Sequence, residues 1–231
     1  MNMLKKLLLI VLLLPITVFA AKKECGVKPS YDITISKESV HIFNKKNDLT
    51  ITPNGNVILN KQSVTLNPPL QKKLAKFQQD LRQQLPQLEQ QSLNLLLDVK
   101  MTFEQAIKNQ LSDDTELKSE LNKLYKRLVK LLHASIFTEN GNTRFSYQNF
   151  NNLKKDGEDI GQRIFYNVVG GSILHFDFFK NLGAIKQISK NEWKAQKPKL
   201  KAFDTHICSV ITDIDAQYKE ILTQLNQSIH K

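Results

Sequence analysis

Five lysines, Lys186, Lys190, Lys194, Lys197 and Lys201, recur three or four residues apart. On an unbroken helix, at ~100° per residue, such a row covers only about 80° of arc. It would present a stripe of ammonium groups, whose chemistry is the binding of phosphate or carboxylate. Trp193 falls at the edge of the stripe, where an indole can anchor at a lipid interface. Pro198 falls inside it and can disrupt the alignment. The plainer reading is a solvated helix face.

The other reactive residue types form no recognisable constellation. His41, His133, His175, His206 and His230 do not reach a metal-ligand spacing. His175-Phe176-Asp177 and His206-Ile207-Cys208 come nearest, and each falls short of the three or four placed ligands zinc takes. Gly170-Gly171-Ser172 lacks the strand-to-helix elbow of a hydrolase nucleophile. Asp213 and Asp215, two apart on a helix, point to different faces and make a poor carboxylate pair. Asp156, Glu158 and Asp159 read as a solvated turn. No glycine-rich phosphate cradle is present. Catalytic, cofactor-binding and metal-binding residues are therefore assigned to none, and the expectation leans against an enzyme. A site assembled from residues distant in sequence stays open.

The N-terminus sets the address. Lys5 and Lys6, the apolar run Leu7 to Leu14 and the small-x-small triplet Val18-Phe19-Ala20 make a secretory signal cleaved before Ala21. At about a dozen residues, the apolar run falls below the ~18–20 that span a bilayer. The mature chain is expected in a bacterial periplasm. Loss of Lys5 and Lys6 leaves 31 Lys and Arg against 22 acids, a net charge of +9 in place of +11. Nucleic acid is then an improbable partner, whereas envelope proteins, anionic membrane surfaces and lipopolysaccharide are natural ones. Cys25 and Cys208 are an even count in an oxidising compartment, which reads as one disulfide. Its long loop would add up to ~5 kcal/mol in the chain-entropy model. Two free thiols or an intermolecular bridge are the rival readings.

The elements that position these residues follow from periodicity. Tyr31, Ile33 and Ile35, Val40 and Ile42, Leu49 and Ile51, and Val64 and Leu66 alternate with polar residues, as in short strands. Thr52-Pro53-Asn54-Gly55 and Asn60-Lys61 supply tight turns. From Asn67 the period becomes helical, with Asn67 as cap and Pro68 at the first position. Leu70, Leu74, Phe77, Leu81, Leu85 and Leu88 open a series that continues to Leu111 and restarts from Leu117 to Ile136. Pro86 predicts a kink or break. Residues 87–111 and 113–137 then form an antiparallel hairpin, with Asp113 and Glu116 as its capping box. Glu139-Asn140-Gly141-Asn142 is a turn, with Phe145 and Tyr147 beyond it in a short extended piece. Helical spacing resumes from Phe150 to Val168, and Gly170-Gly171 interrupts an apolar segment, 164–182, that carries Phe176, Phe178 and Phe179. A last helix is expected from about Lys199 to Ile229.

The expected fold is α+β, mostly α: a small N-terminal antiparallel β-meander (21–66) packed on a bundle of long helices. That bundle comprises the helical arm or hairpin (67–138) and the C-terminal helices (145–231), in a single domain after the signal at 1–20. Sparse Gly and Pro suit that composition.

Cys25-Gly26-Val27-Lys28-Pro29, then Leu49 to Val57 (LTITPNGNV), then Glu192-Trp193-Lys194 and a late Cys208 form an ordered set. This set resembles the YggN-like family of exported proteins, a domain of unknown function, over essentially the whole mature chain. The ITPNGNV turn is its most specific part. Pro198 departs from the unbroken helix expected there. The resemblance implies a Gram-negative periplasmic address and brings no catalytic residues. The function expected on these grounds is protein–protein interaction, envelope assembly or a chaperone-like role, with binding of anionic lipid or lipopolysaccharide as the alternative.

Overall fold

The computed structural model describes residues 26–111, 115–153 and 178–229. The signal segment, Cys25, Asp113 of the capping box and the segment containing Gly170-Gly171 and Phe176 lie outside the described residues. Five strands come first: β1 (Asp32–Ile35), β2 (Val40–Phe43), β3 (Asp48–Ile51), β4 (Val57–Leu59) and β5 (Gln62–Val64). Helices α1 (Pro68–Leu111) and α2 (Thr115–Ser135) follow, then β6 (Ile136–Glu139), β7 (Asn142–Phe145) and α3 (Phe178–Ile229). Residues 147–153 are also helical, so Tyr147, expected in the extended piece with Phe145, instead opens a helical turn closed by the Phe150 amide on the Ser146 carbonyl at 2.9 Å. The fold is α+β and mostly α, as expected.

The strands make one antiparallel sheet in the order β5-β4-β3-β2-β1-β7-β6. Alternation decides which face is buried: Ile33, Ile35, Val40, Ile42, Leu49 and Ile51 are all 4% exposed or less, and the residues between them are not buried. Both predicted tight turns form. Asn60 and Lys61 take φ of 50° and 68°, the doubly left-handed geometry whose twist suits a two-residue hairpin.

Two strands exceed the expected meander. Ile136 and Phe137, read as the end of a helix, begin β6 instead, and Asn140-Gly141, with φ of 52° and 76°, turns the chain into β7. Strand β7 then pairs with β1, Ile33 opposite Phe145, so the hairpin extends the sheet on its far side.

The Asn67 side chain caps α1, its Oδ1 accepting the Leu70 amide at 2.9 Å. The helix then runs unbroken for 44 residues, ~66 Å at 1.5 Å per residue, straight through Pro86. The expected break is absent. Leu81, Leu85 and Leu88 bracket the proline and are buried in the main core, and that packing carries the helix across one missing hydrogen bond. Helix α3 passes Pro198 in the same way and begins at Phe178, not near Lys199.

Contacts across the helices fix their directions. Glu89 lies 3.5 Å from His133, and the Lys100 ammonium lies 5.6 Å from the centre of the Tyr125 ring, so α2 runs antiparallel to α1. Asp98 pairs with Lys199, Gln91 Oε1 accepts from His206 Nε2 at 3.1 Å, and Lys73 pairs with Glu220, so α3 is antiparallel to α1 as well.

The apolar interior falls into two clusters. The larger joins the sheet to the first half of α1 and the last part of α3, with Leu74, Phe77, Leu81, Ile211, Ile221 and Leu225 at its centre. The smaller joins Phe103, Ala106 and Ile107 of α1 to Leu117, Leu121 and Leu124 of α2 and Ile188 of α3. The base is thus sheet-backed, and beyond it the three helices continue as an arm with its own core.

Candidate functional site

The arm carries the lysine row. Because α3 is continuous through Pro198, Lys190, Lys194, Lys197 and Lys201 share one side of it, and all four are exposed. The side chain of Lys186 lies outside the described residues. Lys199 and His206, which reach back to α1, sit about 160–180° around the helix from Lys190, so the row lies on the outer side of α3. Asp204, an exposed acid about one turn beyond Lys201, lies on the same side of α3, so the row carries four cations against one acid. Neighbouring like charges three and four apart each cost a helix roughly 0.2–0.5 kcal/mol, so fold stability does not explain the row.

Trp193 does not serve as an interface anchor. It is half-buried and packs on the arm's core beside Ile188. Sequence reasoning also passed over a second basic set: Lys126, Arg127 and Lys130 are exposed on α2. Its signal was legible as K-x-x-K-R-x-x-K over residues 123–130. In sequence terms the arm segments, 93–131 and 178–206, carry 14 Lys and Arg against 8 Asp and Glu. The rest of the chain beyond residue 20 carries 17 against 14, so two-thirds of the positive excess sits on the arm.

The ITPNGNV turn turns out to be a structural joint. Gly55 takes φ of 77°, and its amide donates to the Thr52 carbonyl at 2.9 Å. A Cβ on Gly55 would lie 2.2 Å from the Gln71 carbonyl oxygen, so only glycine lets the turn seat on α1. The Gln71 side chain donates to the Asn54 carbonyl at 3.2 Å and to Asn56 Oδ1 at 3.0 Å. Two turns further on, buried Gln78 accepts from the Arg82 guanidinium at 2.7 Å, and Arg82 also donates to the Ser36 carbonyl in the β1–β2 turn. These polar contacts set the register of sheet against helix.

A buried polar group at the base is equally structural. Tyr31 and Tyr218 pack with ring centres 4.3 Å apart, and both hydroxyls are buried without a hydrogen-bond partner of normal geometry. Asp215, 5% exposed, acts on both through its charge and is itself held by Lys219 at 2.6 Å. Burial first, then that carboxylate, pushes the Tyr218 phenol up to about 12 and Tyr31 further in the same direction. Asp213, its neighbour in sequence, is exposed.

An open cleft of about 360 Å³ lies where the start of α1 meets the end of α3, lined by Asn67, Leu70, Lys73, Gln224, Gln227 and Ser228. Its one cation, Lys73, is matched by Glu220. Among the described residues no three His, Cys, Asp or Glu side chains could hold a metal ion, and no helix is long and apolar enough to cross a membrane. Cys208 is half-buried on α3.

A seven-stranded antiparallel sheet with a projecting basic three-helix arm defines the class of this protein by architecture. The chain belongs to the family described as "Protein of unknown function (DUF2884)", whose model matches residues 25–228. It is similar to the uncharacterized protein YggN of Escherichia coli strain K12, 22% identical over 219 residues that cover 89% of this chain and 92% of the relative. The YggN proteins of the CFT073 strain and of Escherichia coli O157:H7 match equally. No solved structure matches.

Proposed function

We propose that the chain is a non-enzymatic interaction protein of the bacterial envelope, in which a sheet-backed base holds out a rigid basic arm to an anionic partner. The observation that carries this reading is the outward row Lys190, Lys194, Lys197 and Lys201, four exposed cations against the single neighbouring acid Asp204, on an arm that holds most of the chain's positive excess. Charge gathered in this way speeds encounter with an oppositely charged surface. The periplasmic address is supported by the signal-like residues 1–20.

A Cys25–Cys208 disulfide belongs to the same reading. Val27, just after Cys25, packs on the same core cluster as Ile207 and Val210, which flank Cys208. The bond would clip the start of the mature chain to α3.

In-cell photo-crosslinking tests the function. Crosslinkers at Met101, 58% exposed on α1, and at Asn191, exposed beside the lysine row, should capture envelope components, and one at exposed Ile58 on the sheet should capture far less. Equal capture at all three positions, or none, would remove the arm as the working surface.

A further inference from the structure

Resting on the reading of the arm as the working surface, we infer that the outward face of α3 docks lengthwise on an anionic phospholipid surface, with the ammonium groups of Lys190, Lys194, Lys197 and Lys201 on the lipid phosphates. The four lysines fall within about 60° of arc and span ~16 Å along a helix that is straight enough to be backed by α1 on its opposite side. This is a line of point charges on a convex rod. It has no concavity for a small anion, and its lysines lack the planar fork that makes arginine the choice for a fixed carboxylate partner.

The residues around the row decide between a lipid and a protein. Stable protein interfaces centre on buried aromatic or aliphatic anchors. Here Trp193 packs on the arm's core, and Leu200 and Phe203, both half-buried, fall on Trp193's side of α3 by helical spacing and not within the row. Beside the row stand Asn191, Pro198 and Thr205, exposed and uncharged, and one exposed acid, Asp204, which leaves the face net positive. A face with charge and no anchor suits a partner whose anions can move into register. Lipid head groups do this by lateral diffusion, whereas a folded protein would have to present four carboxylates already in line. Lys199, within the same segment, pairs with Asp98 across the helix interface, on the far side of α3 from the other four.

Vesicle co-sedimentation of the purified protein tests this. It should bind vesicles of phosphatidylcholine with phosphatidylglycerol, bind pure phosphatidylcholine vesicles far less, and release as salt is raised. At about fivefold per lysine near an anionic surface, Lys190→Gln/Lys194→Gln and, separately, Lys197→Gln/Lys201→Gln should each weaken binding about 30-fold. Lys126→Gln/Lys130→Gln on α2 removes the same charge from another helix and should change binding by no more than a few-fold. All six side chains are exposed, and an unchanged unfolding midpoint confirms that each variant is folded. Equal losses from the α2 and α3 pairs overturn the inference, because net charge and not this face would be binding. No vesicle binding, with crosslinks from Asn191 to an envelope protein, overturns the lipid docking and leaves the arm as an interaction surface. Failure of both assays removes both.

Discussion

Alanine at Gly55 should cost several times what alanine costs at Gly141. Both glycines adopt the left-handed conformation, with φ of 77° and 76°. At Gly141 nothing lies within 4 Å of where a Cβ would stand, so the substitution meets backbone strain alone. That strain is roughly 1–2 kcal/mol, partly offset by the ~0.4–1 kcal/mol that alanine saves by restricting the unfolded chain. The net at Gly141 is about 1 kcal/mol. At Gly55 the same strain is joined by a Cβ placed 2.2 Å from the Gln71 carbonyl oxygen and 3.0 Å from the Ala75 nitrogen. Both are backbone atoms of α1, so no side chain can swing aside. The turn must lift from the helix, which adds the ~1–3 kcal/mol of an overpacked core and strains the Gln71 bonds to Asn54 and Asn56. A total of about 2–4 kcal/mol follows, or a melting point lowered by roughly 5–15 °C for a chain of this size. Thermal and urea unfolding followed by circular dichroism would measure both variants. If Gly55→Ala and Gly141→Ala melt together, the claim that this turn is a joint against α1 is wrong.

The buried phenols make stability depend on high pH. Their pKa is raised in the fold, so their contribution is complete below the unfolded value near 10 and is lost as pH climbs through about 12 for Tyr218. Tyr218→Phe should flatten urea midpoints between pH 10 and 12 and, because it removes a buried hydroxyl without a partner, should be neutral or slightly stabilising at pH 7. A loss above about 2 kcal/mol at neutral pH would show that the hydroxyl is bonded after all. Cys208→Ser should lower the stability of the oxidised protein by up to ~5 kcal/mol and abolish any effect of reductant on its midpoint. An unchanged response to reductant would exclude the Cys25–Cys208 clip.

Where local pattern and final packing agree, the fold could be read directly. Strands β1 to β4 alternate because one face of the sheet lies on α1, and Asn67-Pro68 starts a helix by rules that need no tertiary contact. The readings that failed are those where distant contacts overrule local preference. Pro86 and Pro198 each weaken one turn, yet the burial of Leu85 and Leu88 and the long seam between α1 and α3 outweigh a local cost of roughly 3 kcal/mol. Ile136 continues the apolar series of α2 and so reads as helix. Only its place beside β7, and β7's pairing with β1 across more than a hundred residues, makes it a strand. For the candidate site, the period of the lysines was visible, but their exposure depended on Lys199 and His206 facing α1. The same packing turned Trp193 inward and removed its expected role.

The most distinctive stretch of the sequence and the proposed working surface lie at opposite ends of the molecule, and physics accounts for both. A turn that must take φ of 77° against a helix backbone demands glycine at Gly55, so its specificity in sequence has a cause internal to the fold. A face that binds by charge needs only cations facing the same way. Any arrangement that keeps several lysines within a narrow arc of α3 satisfies it, and the residues between them are free to vary so long as the inner side packs on α1. Function of this kind leaves a weak mark in sequence and a clear one in structure. It shows in a helix whose inner side is tied to its neighbour by Lys199 and His206 while its outer side keeps four charges that nothing in the fold requires.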